Sequence, residues 1–167
     1  MGINTVDTAE VVTLSTSHPD EAPRLKGGRF VTPWFSMDPD RSELFEKATY
    51  LDSYAHPYGG GRGYGEDLVE GFHLLGMLDY LVNQVVWSDG PWLPWNYGLD
   101  RVRFTSVIRW TDQFRVAGTV TDVIPRGAGQ LVVTDLAGEV RGREKPGFVA
   151  THRVLWTAYD DDDAPGA

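Results

Sequence analysis

Apolar residues lie nearly all round a helical wheel over residues 66–86, which read EDLVEGFHLLGMLDYLVNQVV. A surface helix would carry a single apolar stripe, so this pattern predicts one long helix buried in the core. Carboxylates crowd its first turn, where they favour the positive end of the helix dipole. Gly71 and Gly76 leave room for a ligand or a second backbone to approach this helix.

The pattern changes from helical to alternating in the second half of the chain, which predicts four long strands. These strands cover residues 99–110, 114–124, 131–140 and 148–159, with hairpin turns at 125–129 and 142–147. Residues 87–97 hold two prolines and three tryptophans, so we expect an irregular connection there.

Two shorter elements precede the long helix. Residues 29–37 predict an edge strand, because Pro33 cannot donate a hydrogen bond to a central ladder. Asp38 or Asp40 then caps a short amphipathic helix over residues 41–49.

A long apolar helix followed by antiparallel strands predicts the α+β class, with the sheet wrapped around the helix. Such a sheet has open edges, so we expect a homodimer formed by extending it. We expect a loosely held arm at 1–28, a single domain at 29–159 and a solvated acidic tail at 160–167.

Composition narrows the classes of function. The chain has 167 residues, a net charge of -9 and no cysteine. This charge disfavours nucleic acid and anionic membrane surfaces, which require clustered Lys and Arg. The sequence also lacks eighteen consecutive apolar residues and a dense set of metal ligands. We therefore expect a cytoplasmic protein without a membrane span, metal or cofactor.

Three stretches resemble the MaoC-like, nodulation protein N-like branch of the hotdog-fold hydratases and dehydratases. They are VEGFHLLGML at 69–78, NYGLDRVRF at 96–104 and KPGFVATHRVLW at 145–156. The resemblance implies a hotdog fold, in which a curved antiparallel sheet wraps a central helix, and an active site near a dimer interface. It also implies reversible addition of water to a 2-enoyl thioester carried on coenzyme A or an acyl carrier protein.

The resemblance assigns roles to three positions. Asp52 and His56 match the family's proton-transfer pair, and Gly71 matches the backbone amide that polarises the thioester carbonyl. Here Asp52 and His56 lie one residue closer together than is usual in the family, and Glu70 stands where the family often has histidine. Glu70 is therefore a further candidate base.

Each candidate also has an ordinary structural interpretation. Asp52 and His56 are equally consistent with a turn cap and a polar loop residue, and Gly71 with close packing of helix on sheet. His73 is the type of residue that a core or an interface accommodates with a hydrogen-bond partner. The expected pocket wall consists of Tyr54, Tyr58, Phe72, His73, Trp92 and Trp95.

Three functions remain open on the sequence. The first is a hydratase or dehydratase acting on an enoyl, β-hydroxyacyl or polyketide-like thioester. The second is a natural-product tailoring enzyme, such as a cyclase, that uses other chemistry on the same fold. The third is a non-catalytic acyl-binding or dimer-partner subunit, because a fold alone does not determine function.

Overall fold

β-Strands form the larger part of the molecule. The structure is a computed structural model, and it describes residues 11–53 and 67–159. The strands are β1 (Leu14–Thr16), β2 (Arg29–Val31), β3 (Phe35–Ser36), β4 (Val86–Ser88), β5 (Leu93–Phe104), β6 (Gln113–Arg126), β7 (Gly129–Val140) and β8 (Phe148–Thr157). The α-helices are α1 (Pro39–Ala48), α2 (Gly71–Gly76) and α3 (Leu78–Val82).

The main sheet is antiparallel and has the order β2-β6-β7-β8-β5, with β3 also paired to β6. The two predicted hairpins are present, and Gly127 and Gly142 adopt positive φ values of 58° and 75° in their turns. Such backbone is accessible to glycine without steric cost. β5 forms one edge of the sheet, which is why Pro94 is tolerated inside it.

The long apolar stretch packs against this sheet, as the α+β hotdog class requires. Leu78 and Leu81 of α3 share one buried cluster with Val116, Val120 and Leu136 of the sheet. Complete burial of each such leucine contributes roughly 1.5–3 kcal/mol. The predicted fold class is therefore confirmed.

The prediction of one uninterrupted helix over 66–86 is wrong in its extent. Helical structure covers α2 and α3 and is interrupted at Met77, next to the poor helix former Gly76. Residues 67–69 are extended instead, because Val69 donates its amide to the Ile108 carbonyl at 2.9 Å. Val86 belongs to β4, in keeping with the preference of β-branched residues for strands.

The N-terminal segment is more closely packed than the sequence suggests. Its described part, residues 11–28, forms β1 and a 3-10 helix at Pro19–Leu25. β1 pairs in parallel with β4, and Ala22 and Leu25 are buried in the main core. Two short apolar side chains give too weak a periodic signal to predict this packing.

One connection also differs from expectation, whereas the short helix predicted after residue 37 is present. The stretch 87–97 is not irregular throughout, since β4 ends at Ser88 and β5 begins at Leu93. The helix expected at 41–49 is α1, and its cap is Asp38, whose carboxylate accepts the Asp40 amide at 3.0 Å. Leu44 of α1 is 62% exposed, so the described residues do not fully cover the apolar face expected of this helix.

None of the described helices is both long and apolar enough to cross a membrane.

Candidate functional site

The start of α2 is fixed by a short extended segment that pairs with residues 108–110. The amide of Val69 donates to Ile108, and the amide of Trp110 donates to the Asp67 carbonyl at 3.0 Å. The Arg109 guanidinium also forms an ion pair with the Asp67 carboxylate. These contacts hold the backbone in place one residue before the N-cap position of α2.

Gly71 is the first residue of α2, and Glu70 occupies the N-cap position. The Glu70 side chain makes no capping hydrogen bond to any described residue. The first amides of an α-helix have no partners within the helix, so the first turn of α2 retains donors for an incoming acceptor. Gly71 lies in this turn, and its role as an amide donor stays a prediction.

A largely apolar cleft of about 440 Å³ opens beside this turn. Its walls come from the start of α2 and from the segment that follows β5. The lining residues are Leu68, Val69, Gly71, Phe72, Leu74, Phe104, Thr105, Ser106, Val107 and Ile108. Phe72 is 76% exposed at the mouth of the cleft. The hydroxyls of Thr105 and Ser106 are both occupied, since they donate to the Pro146 carbonyl. The cleft therefore offers an apolar wall next to backbone donors.

Glu70 is not among the residues that line this cleft. Its carboxyl group lies against that of Glu46 on α1, and burial raises the pKa of Glu70, which the Glu46 carboxyl raises further. One Glu70 oxygen, Oε2, is fully enclosed and has no donor among the described residues. Glu46 carries no periodic or motif signal, so sequence reasoning missed it.

His73 lies one turn after Glu70 and is only 8% exposed. Its ring stacks in parallel on Phe45 of α1, with centroids 4.5 Å apart. Burial lowers the pKa of His73 and so disfavours its charged form. The expected hydrogen-bond partner is not present within the described ranges, because Nδ1 is enclosed without one.

Asp52 lies in a 3-10 turn, Leu51–Ser53, that follows α1. Its side chain is exposed, and the Ser53 hydroxyl lies 3.2 Å from its carboxylate. The partner proposed for it, His56, and the pocket candidates Tyr54 and Tyr58 lie outside the described residues. The pairing of Asp52 with His56 thus stays a prediction.

The two tryptophans expected in the pocket wall do not line the cleft beside α2. Trp92 packs on the buried Trp156 of β8, with ring centroids 4.6 Å apart. Trp95 on β5 donates its indole N–H to the Thr157 hydroxyl at 2.9 Å. The structure therefore brings together Gly71 and Phe72 but not these indoles.

A polar network connects α3 to the sheet and was not foreseen. The Asn96 amide donates to the Asp79 carboxylate of α3, and its carbonyl oxygen lies 3.3 Å from Nε2 of His152. His152 is 3% exposed, and burial lowers its pKa although Asp79 opposes the shift. Asn96 belongs to the NYGLDRVRF stretch, which was the available signal for this network.

Arg143, in the turn after β7, makes several side-chain hydrogen bonds. Arg143 donates to both carboxylate oxygens of Asp112 at 2.6 and 2.8 Å, and to the Val107 carbonyl at 2.7 Å. This contact connects the turn after β7 to the cleft segment. In the described part of the chain, no group of three or more histidine, aspartate or glutamate side chains is arranged to hold a metal ion.

Comparison with known proteins assigns the family. No family model matches the chain. The 3-hydroxyacyl-thioester dehydratase Z of Mycobacterium tuberculosis is 30% identical over 129 residues, which cover 75% of this chain and 85% of the relative. The chain belongs to the MaoC-like hotdog-fold dehydratase family. As a MaoC-like protein it is an enzyme of the lyase class.

A second relative and two solved structures are also similar to this chain. Nodulation protein N of Rhizobium leguminosarum bv. viciae is 26% identical over 148 residues, covering 79% of this chain and 85% of that protein. A MaoC-like dehydratase from Rhodospirillum rubrum superposes with a TM-score of 0.55 over 81% of this chain and 94% of its own, at 15% identity. A monoamine oxidase regulatory protein from Archaeoglobus superposes with a TM-score of 0.65 over 90% of this chain and 100% of its own, at 13% identity. These two solved structures establish the fold.

Proposed function

We propose that the protein catalyses the reversible dehydration of a 3-hydroxyacyl thioester to a 2-enoyl thioester. The observation that carries this proposal is the uncapped start of α2, which opens into the apolar cleft in a chain of the MaoC-like family. The relative from Mycobacterium tuberculosis, which is named for this reaction, supports it. β-Hydroxyacyl intermediates of the polyketide type belong to the same substrate class.

The chemistry requires stabilisation of charge on the thioester oxygen and movement of one proton. In the dehydration, a base removes a proton from C2, the electron pair forms the C2–C3 double bond, and the C3 hydroxyl leaves as water after protonation. The Gly71 amide is the proposed donor to the thioester oxygen. Asp52 and His56 are the proposed acid-base pair, and a group of this kind typically contributes about 10²–10⁴-fold.

The acyl carrier is proposed to be coenzyme A or an acyl carrier protein. The cleft presents mainly apolar side chains, which suits the acyl chain of such a substrate. Its polar end is marked by backbone amides, which suit the thioester carbonyl. Comparing both carriers with the same acyl group distinguishes between them.

A homodimer that joins two β5 edges is part of the proposal. β5 is twelve residues long and has an unpaired edge in the described sheet. It carries the exposed apolar side chains Trp95, Tyr97, Leu99 and Phe104. A long apolar edge strand is a template for pairing with a second chain. Phe104 also lines the cleft, so a partner at β5 would border the site.

The test is the hydration of short and medium 2-enoyl thioesters, which is measured as the loss of the absorbance of the conjugated enoyl group. We expect turnover by the unaltered protein and a loss of about 10²-fold or more in kcat/KM for His56→Ala and Asp52→Asn. His18→Asn is the matched control, because Asn retains an N-cap acceptor at the start of the 3-10 helix far from the cleft. Absence of turnover with both carriers, or an unchanged His56→Ala, contradicts the proposal.

A further inference from the structure

Helix α1 is joined to the start of α2 by a stacked pair of rings. Phe45 and His73 lie almost parallel, with an interplanar angle of 7° and centroids 4.5 Å apart. Residues three or four apart share one helix face. Ser42, Phe45 and Glu46 therefore face α2 together, while Glu70 is one turn before His73 on the opposing side. Ser42 on this face is completely buried.

Two carboxyl groups meet beside this ring stack. The Glu46 side chain is within hydrogen-bonding reach of Glu70. A hydrogen bond between two carboxyl groups requires one proton, because two carboxylates have no donor and repel each other. Glu70 Oε2 is enclosed without any other donor in residues 11–53 and 67–159, so a shared proton is the available way to satisfy it.

Two described groups near the pair, Lys47 and His73, form no hydrogen bond or ion pair with it. Lys47 is the neighbouring cation on α1, but its ammonium group binds the Glu43 carboxylate at 3.0 Å on the exposed side of the helix. His73, on the α2 side, is buried, which lowers its pKa, and its Nδ1 has no described partner. The pair therefore comprises Glu46 and Glu70, with His73 as the adjacent buried ring.

The position of the pair connects it to the proposed reaction. α1 ends at Ala48 and is followed by the 3-10 turn that carries Asp52. Glu70 immediately precedes Gly71, the proposed amide donor. The Glu46–Glu70 contact thus bridges the two elements from which the proposed acid-base and oxyanion groups come.

We propose that Glu46 is a positioning residue, which shares one proton with Glu70 and thereby holds the segment carrying Asp52 against the start of α2. This inference rests on the proposed dehydratase function for its catalytic consequence. Its structural consequence, a proton bound between two side chains, is independent of any substrate. Neither carboxyl group is assigned a contact with the reacting atoms.

The direction of the pH dependence follows from the raised pKa of Glu70. The folded protein binds more protons than the unfolded chain between the ordinary value of 4.5 and the raised value. The contribution of the pair is therefore complete below pH 4.5 and is lost as the pH rises through the raised pKa. Above it, the two like charges separate α1 from α2.

The first experiment follows thermal unfolding and kcat/KM against pH for Glu46→Gln, Glu46→Ala and the control Glu43→Gln. The amide introduced by Glu46→Gln would donate to the Glu70 carboxylate at every pH, so this variant should keep activity within about threefold and lose the alkaline decline. Glu46→Ala should lower kcat/KM by about tenfold or more, because the segment that carries Asp52 would no longer be held against α2 and a misplaced catalytic group reacts slowly. Glu43→Gln removes a carboxylate from the exposed face of α1 and should retain the unaltered pH profile.

The second experiment needs no substrate and separates the two proposals. Carboxyl-carbon NMR titration should show Glu70 ionising above pH 4.5 in the unaltered protein and closer to that value in Glu46→Gln. If Glu70 titrates in this way but no thioester turns over, the dehydratase proposal fails and the pair stands. If turnover is present while Glu46→Gln leaves both titration and pH profile unchanged, the positioning role is overturned.

Discussion

Phe104 lies directly over Gly71. A Cβ atom added to Gly71 would come within 2.6 and 2.7 Å of two ring carbons and closer still to the tip of the ring. Real Cβ atoms do not approach other atoms so closely, so the ring must move when any larger residue occupies this position. Close packing at Gly71 is thus compatible with its proposed role as an amide donor, because the close approach of Phe104 to Gly71 places the Gly71 backbone at the cleft.

Gly71→Ala is therefore expected to reshape the cleft. Displacement of Phe104 should lower kcat/KM by about 10²-fold, because small misplacements at a reacting group have effects of that order. Gly76→Ala is the matched control in the same helix, since a Cβ there meets nothing within 4 Å. Steady-state kinetics on an enoyl thioester, with thermal unfolding to verify folding, makes the comparison. Equal kinetics for the two variants would show that the contact is irrelevant to catalysis.

The β5 edge gives a prediction about assembly. Leu99 is 36% exposed on β5, and Leu99→Lys should convert the proposed dimer to a monomer, because charge on an edge strand opposes pairing. Ile124→Lys introduces the same charge at a 41% exposed position on β6, away from that edge, and should remain dimeric. Light scattering during size-exclusion chromatography measures both masses. A dimeric Leu99→Lys variant would place the interface elsewhere.

The Asp79–Asn96–His152 network predicts a loss of stability in Asn96→Ala. Truncation leaves the Asp79 carboxylate and the His152 ring without their described partner, which should lower the free energy of unfolding by about 1–2 kcal/mol. Asn83→Ala is the control, because Asn83 is an asparagine that takes no part in these two contacts. Denaturant unfolding of the two variants tests the difference. An effect in Asn96→Ala no larger than in Asn83→Ala would contradict it.

The buried histidines predict an acid-sensitive stability. The pKa values of His73 and His152 are lowered by burial, so the unfolded chain binds more protons than the folded protein below the ordinary value of 6.5. The free energy of unfolding should therefore decrease as the pH falls from 6.5 through the lowered values. His152→Gln should reduce this slope. A slope that is identical in His152→Gln would assign the effect to other groups.

The sequence predicted the sheet better than the helix because the two signals have different causes. Alternation of apolar and polar residues along β6 and β7 indicates a strand with one buried face, and the glycines at 127 and 142 indicate the turns that join strands. The apolar run at 66–86 indicates burial alone. Burial does not distinguish helix from extended chain, so it did not reveal that Val69 bonds to Ile108 or that Val86 enters β4.

The candidate site was predictable only where it matched a family motif. Gly71 became a candidate because VEGFHLLGML marks the start of the helix, and the structure places this residue at the cleft. Glu46 could not be found, because its contact with Glu70 depends on how α1 packs on α2 rather than on spacing along the chain. Likewise, the separation of Trp92 and Trp95 from the cleft follows from the early start of β5.

The parallel pairing of β1 with β4 has a consequence for the order of folding. Leu14 and Val86 are neighbours across this ribbon, although all three α-helices lie between them in sequence. The long loop that this pairing closes carries an entropic cost that local hairpins such as β6–β7 avoid. The ribbon should therefore be among the last elements to form and, in native-state hydrogen exchange, among the first to open.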